Sequence, residues 1–270
     1  MIVIVLGMHR SGTSTVAGIL HLNNIIMGTY ENFWPRPLKQ NPKGFYENYN
    51  FRKINDQILE YSGYHTKSYS LDLPEVKVLP KINKKMRRLV GDSLENFSDW
   101  GWKDPRTCFT VKYWVDVIDQ LGYKNKIKIV FVTRRADSVA RSLKKRNNLP
   151  ILNGLKIWEL YSKSILSFCY KSDLPIHFCS FEDFLNNPIT TCNTLFDFLK
   201  RDFNDTIINK FIDKVFANSL CPFEVAKFSL PIKDIGVKPI NSLNVSLKGS
   251  LLGSVIVPSL IPLIGSLMNM

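Results

Sequence analysis

The sequence predicts an α/β protein in three layers, a central parallel sheet with helices on both faces. Three observations predict it. Ile2 to Leu6 is an uninterrupted apolar run rich in β-branched residues, the pattern of a strand buried on both faces. Lys126 to Thr133 (KIKIVFVT) reads as a second strand, and Ile176 to Cys179 as a third, shorter one. Each is followed by a helical pattern: Val16, Ile19 and Leu20 after the first, Ala136, Val139, Ala140 and Leu143 after the second, and residues 189 to 200 after the third. Strands that alternate with helices in this way pair in parallel.

Gly7 to Gly12 joins the first strand to its helix. Such a loop turns backbone N–H groups and the positive end of the helix toward an anion, and its glycines let the backbone come close. His9, Arg10, Ser11, Gly12, Thr13 and Ser14 are the candidate anion-binding residues, with Arg10 the fixed charge and the hydroxyls further donors. The bland alternative is an ordinary strand-to-helix turn. The Gly-x4-Gly spacing is that of a nucleoside-triphosphate P-loop, which makes the expected fold P-loop NTPase-like. The next residues, however, are Thr13-Ser14 where such a loop carries Lys-Ser/Thr. That departure argues against an ordinary ATPase, GTPase or nucleotide kinase.

The elements between are read in order. Residues 23 to 50 form a long loop punctuated by Gly28, Pro35, Pro37, Pro42 and Gly44, and loops of that length are usually functional or disordered. A helix is expected over 51–61, an irregular segment over 62–80 and a basic amphipathic helix over 81–97. Asp104 followed by Pro105 reads as N-cap and first turn of a helix that runs to Leu121 and stops at Gly122. A longer helix is expected over 152–171. The expected organisation is one domain over 1–248, with 23–50 and 62–97 as substrate or lid insertions, and an uncharged hydrophobic tail over 249–270. The tail is long enough to span a bilayer, but its two prolines and three glycines make it a poor helix. Membrane association through it and packing on the domain are the two alternatives.

The chain carries 36 Lys+Arg against 23 Asp+Glu, a formal charge of +13, which points to an anionic partner. The excess is spread along the chain without aromatic interleaving, so DNA or RNA binding is not expected. Five scattered cysteines without a Cys-x-x-Cys pair fit a reducing, cytoplasmic compartment. The short apolar run at the start reads as a strand rather than a signal peptide.

Four segments, in order, resemble motifs of sulfotransferases that use PAPS (3′-phosphoadenosine 5′-phosphosulfate), in particular the bacterial-type enzymes. They are GMHRSGTS (7–14), NPKGFYE (41–47), WGWKDPRT (100–107) and VTRRADSVARSL (132–143). FCSFEDFLNNP (178–188) looks like the family's later strand-and-helix unit, so the resemblance covers about residues 1 to 200. It implies an enzyme that moves a sulfuryl group from PAPS to a hydroxyl or amine, with adenosine 3′,5′-bisphosphate as product and no metal. The acceptor, a glycan or small metabolite, is not legible. The resemblance assigns the 5′-phosphosulfate to Arg10 and the 11–14 backbone, and the 3′-phosphate to Arg134 and Ser142. Ala136 departs from the family, which often has Pro at that place. Arg10 or Lys103 would stabilise charge on the leaving phosphate. Glu47 is the first candidate for the base and Glu31 the second, each with a plain surface carboxylate as the alternative. His9 reads as structural or a minor nucleotide contact, and Arg146 as a contact to acceptor or 3′-phosphate. The rival readings are a P-loop phosphotransferase and a catalytically inactive nucleotide-binding interaction protein.

Overall fold

The computed structural model describes residues 1–38, 41–73 and 75–208. In chain order its elements are β1 (Ile2–Leu6), α1 (Thr13–Leu22), α2 (Tyr49–Tyr61), α3 (Pro80–Asn96), β2 (Trp100–Lys103) and α4 (Thr107–Gln120). They continue with β3 (Ile127–Thr133), α5 (Ala136–Asn147), α6 (Ile151–Lys171), β4 (Ile176–Ser180), α7 (Phe181–Asn186) and α8 (Pro188–Leu199). The four strands form one parallel sheet in the order β2-β1-β3-β4. The hydrophobic tail over 249–270 and one of the five cysteines, Cys221, lie outside the described residues. Among the described residues no helix is long and apolar enough to cross a membrane.

The period-two geometry of strands sorts side chains into two layers. Ile2, Ile4 and Leu6, with Trp100, Trp102, Ile127, Ile129 and Phe131, pack under α2 to α6. Val3, Val5, Val130, Val132 and Cys179 face the other way, under α1, α7 and α8. Helices on both faces explain why β1 reads as a continuous apolar run and β3 is apolar apart from Lys128 and Thr133.

β2 is an element the sequence reading did not separate from the turn that follows it. Its four residues hold two large aromatics and end in a lysine, so neither a run nor an alternation announces a strand. Packing supplies what the pattern lacks. Trp102 stacks on Phe51 of α2 at 4.5 Å between ring centroids, and Trp114 of α4 lies 5.4 Å from Trp102. A Cβ on Gly101 would overlap the backbone carbonyl of Val3, so glycine is what lets β2 lie against β1.

Asp104 is not the N-cap of α4. Arg106 holds that position, and a tight turn precedes it, with Thr107 N–H donating to Asp104 O at 2.9 Å. The Asp104 carboxylate is fully buried, and its Oδ1 accepts the Arg106 backbone N–H only at 3.4 Å, the guanidinium being the stronger partner there. It accepts from Arg106 Nη1 and from Asn55 Nδ2, both at 2.8 Å.

From β1 the chain goes out to β2, then crosses to β3 on the opposite side of β1. The carboxyl ends of β1 and β3 therefore flank a topological switch point, where open parallel sheets form their binding crevice.

Candidate functional site

The loop after β1 is tightly bent. Gly7 and Gly12 have φ of 154° and 87°, and Arg10 itself sits in the left-handed region at φ 71°. A non-glycine residue held there is strained, and such strain gathers at functional sites. Gly12 has a second constraint: a Cβ on it would fall inside the ring of Phe181, the first residue of α7. The first local bonds of α1 run from the Thr15 and Val16 N–H groups to Gly12 O, so the N–H groups of Gly12, Thr13 and Ser14 precede them, at residues that line the cavity at the positive end of the helix.

Three elements tie this loop to the end of β3. Arg10 Nε donates to Ser142 Oγ of α5 at 2.8 Å. Arg134, the residue after β3, donates from Nη1 to the carbonyl of Arg10 at 3.1 Å. Its guanidinium carbon lies 5.2 Å from the centroid of the Phe181 ring. Arg10 is held down to about 10, first by burial, then by the repulsion of Arg146 and Arg134. Like charges drawn together under partial burial are relieved by an anion.

From the other side of β1 comes Lys103, the last residue of β2. Its Nζ is 2.8 Å from Glu47 Oε1 and 3.4 Å from Ser14 Oγ in the first turn of α1. A cation that the loop sequence lacks thus stands beside the first turn of α1, on the neighbouring strand. Both members of the Lys103–Glu47 pair are buried.

These groups line one cavity of about 350 Å³. Its wall carries eight basic side chains (Arg10, Lys43, Arg52, Lys67, Lys103, Arg106, Arg134 and Arg146) and Glu47 as its carboxylate. Arg106 is anchored in turn by Asp104 and by Asp56 of α2. Behind it, Asn55 is fully buried and fully used. It donates to Asp104 and Thr107, and accepts from Thr110 and Trp114. This network fixes the turn that carries Lys103 and Arg106.

Of the residues singled out from sequence, His9, Arg10, Gly12, Thr13, Ser14, Glu47, Lys103 and Arg134 line the cavity. Ser11 is buried beside it, its N–H donating to Met8 O. Ser142 meets the site through its bond to Arg10. Glu31 is the exception. It is exposed, in a single 3-10 turn over Tyr30–Asn32, and outside the cavity wall. Hydrogen bonds from its own backbone and from Thr29 hold its carboxyl below the ordinary value, and Arg36 stacks on Tyr30 to fix the turn at the surface. Spacing along the chain could not foresee that turn, and Glu31 is withdrawn as a base.

The cavity also takes residues that the sequence reading passed over: Arg52, Thr66, Lys67, Tyr69, Arg106 and Phe181. Arg106 lies within the WGWKDPRT motif, where a lone arginine after Asp-Pro is an ordinary helix start. Tyr69 carries a mark only a structure can show, a left-handed φ of 51°, and its hydroxyl accepts from Arg146 Nη2 at 3.0 Å. Among the described residues no group of three or more His, Cys, Asp or Glu side chains is placed to hold a metal ion.

No family model matches the chain, and no curated protein matches it. Among solved structures it aligns with a sulfotransferase domain from the curacin biosynthetic pathway at 17% identity and a TM-score of 0.48, over 78% of this chain and 77% of that one. It aligns with a sulfotransferase domain of the Synechococcus PCC 7002 olefin synthase at 16% identity and a TM-score of 0.48, over 82% and 80%. A third alignment, with the sulfotransferase STF9 of Mycobacterium avium, has 12% identity and a TM-score of 0.41, over 77% and 66%. Likeness at this level falls short of assigning a family.

Proposed function

We propose that the chain is a PAPS-dependent sulfotransferase acting on a hydroxyl or amine. The observation that supports this most is the bridge from Arg10 to Ser142, with Arg134 on the Arg10 carbonyl. It joins the loop after β1 to α5 and to the residue after β3, and Arg134 stands where a triphosphate hydrolase often has a metal-holding Asp.

The residues present fit a donor with phosphate groups at both the 5′ and 3′ positions. The N–H groups of Gly12, Thr13 and Ser14, with Arg10 and Lys103, would receive the 5′ end. Arg134, Ser142 and Arg146 would receive the 3′-phosphate. The donor supplies an activated sulfuryl group, whose transfer resembles phosphoryl transfer in being in line and loose. What remains for the protein is to orient and to stabilise charge. Lys103 would neutralise the oxygen that leaves with the nucleotide, and Glu47 would hold Lys103 in place until it does. Phe181 lies against Gly12 and lines the same cavity.

Binding is the experiment. Adenosine 3′,5′-bisphosphate should bind in the micromolar range by calorimetry and more tightly than ATP with magnesium. A preference for ATP–magnesium would replace this reading with a phosphotransferase.

A further inference from the structure

Resting on the donor reading above, we propose that His9, not Glu47, takes the proton from the acceptor. His9 is the third residue of the loop and lines the cavity, close enough to Arg106, Arg146, Lys103 and Arg52 for their charges to act on its ring. Its ring packs edge-on to Tyr161 of α6, with centroids 6.0 Å apart. Among the described residues neither of its ring nitrogens has a hydrogen-bond partner, which leaves them available to a group bound in the cavity that His9 lines. Glu47, by contrast, already accepts the Lys103 ammonium at 2.8 Å.

The surrounding charges decide when that lone pair can be used. Burial first, and then Arg106, Arg146, Lys103 and Arg52, hold His9 well below the ordinary imidazole value, so it is neutral at pH 7. Arg10 adjoins it on the loop. The nearby carboxylates, Glu47 and Asp104, are each committed to one of these cations. A donor with several negative charges entering the same cavity offsets the cations and makes an imidazolium tolerable. His9 then becomes a competent base when the donor is in place. In the step itself the acceptor O–H or N–H proton passes to the His9 lone pair. The acceptor's freed electron pair forms the new bond to sulfur. The bond from sulfur to the bridging oxygen breaks, its electrons leaving with the bisphosphate.

The test is an NMR titration of histidine-labelled protein, with the His9 signal assigned by its loss in His9→Gln, with and without saturating adenosine 3′,5′-bisphosphate. The midpoint of His9 should rise by about one pH unit or more when the nucleotide binds. His9→Gln should keep nucleotide affinity within about threefold, because the phosphates are held by other groups. Nucleotide binding that leaves the His9 midpoint unmoved overturns the inference while sparing the donor reading. A loss of affinity greater than about tenfold in a folded His9→Gln protein also overturns it, by making His9 a nucleotide ligand. Absence of nucleotide binding to the wild type removes the donor reading and the inference together.

Discussion

Lys103 Nζ lies 2.8 Å from Glu47 Oε1, and the two side chains are 2% and 9% exposed. One residue ends a strand that the sequence pattern did not announce, and the other sits in a proline- and glycine-rich loop. Their meeting turns two separate motifs into one wall of the cavity, within reach of Ser14 in the first turn of α1.

Removing one partner of this pair strands the other as a buried charge. Glu47→Gln and Lys103→Met should each cost about 3–5 kcal/mol in chemical denaturation, and the double variant Glu47→Leu/Lys103→Met should recover much of that. Lys103→Met should also lower turnover about 10²- to 10³-fold once an acceptor is in hand, the loss typical of removing one donor to developing negative charge.

Gly12→Ala should lose both stability and anion binding. The substitution meets a left-handed φ of 87° and the Phe181 ring at once. About 1–3 kcal/mol of strain is the expected cost. In Gly12→Ala/Phe181→Leu the collision is eased but the backbone strain is not, so denaturation should show partial recovery.

Stability should fall as the solution is acidified below pH about 6.5. His9, His21 and His177 are all held below the ordinary imidazole value, each first by burial. Between the unfolded value and the lower folded value, the unfolded chain binds the proton and the folded chain does not. Unfolding is therefore favoured as pH falls through that window. His9→Gln should flatten the slope of denaturation free energy against pH there, whereas Ser142→Ala should leave it unchanged.

Much of the fold was legible because its physics is local. Ile2–Leu6 and Ile127–Thr133 are covered on both faces, so they read as wholly or mostly apolar, and the change of period after each marks a helix. Trp100–Lys103 was not legible, since its place is fixed by Phe51 and Trp114 from other helices rather than by its own pattern. The same divide runs through the site. Arg10 and Arg134 stand next to strand ends, where position alone suggests an anion. Asn55 gives no such sign: its role comes from bonds to Asp104, Thr107, Thr110 and Trp114, some fifty residues away in sequence. Glu31 looked apt by its distance along the chain from Arg10, but a surface turn carries it away from the cavity.

Asn55→Leu should therefore behave as a site variant as well as a core variant. It leaves Asp104, Thr110 and Trp114 without their partner in a buried place, at a cost of about 2–4 kcal/mol. It also loosens the turn bearing Lys103 and Arg106. Asn55→Asp should be worse, because it sets a second carboxylate against Asp104 at hydrogen-bond distance.

The 3′-phosphate is the most direct test of the central claim. Calorimetric titration of adenosine 3′,5′-bisphosphate and of adenosine 5′-monophosphate, on wild type and on Arg134→Ala, isolates that group's contribution. The wild type should bind the bisphosphate at least about tenfold more tightly than the monophosphate, about 1.4 kcal/mol, and Arg134→Ala should erase the difference. Equal affinity for the two nucleotides in the wild type would contradict it.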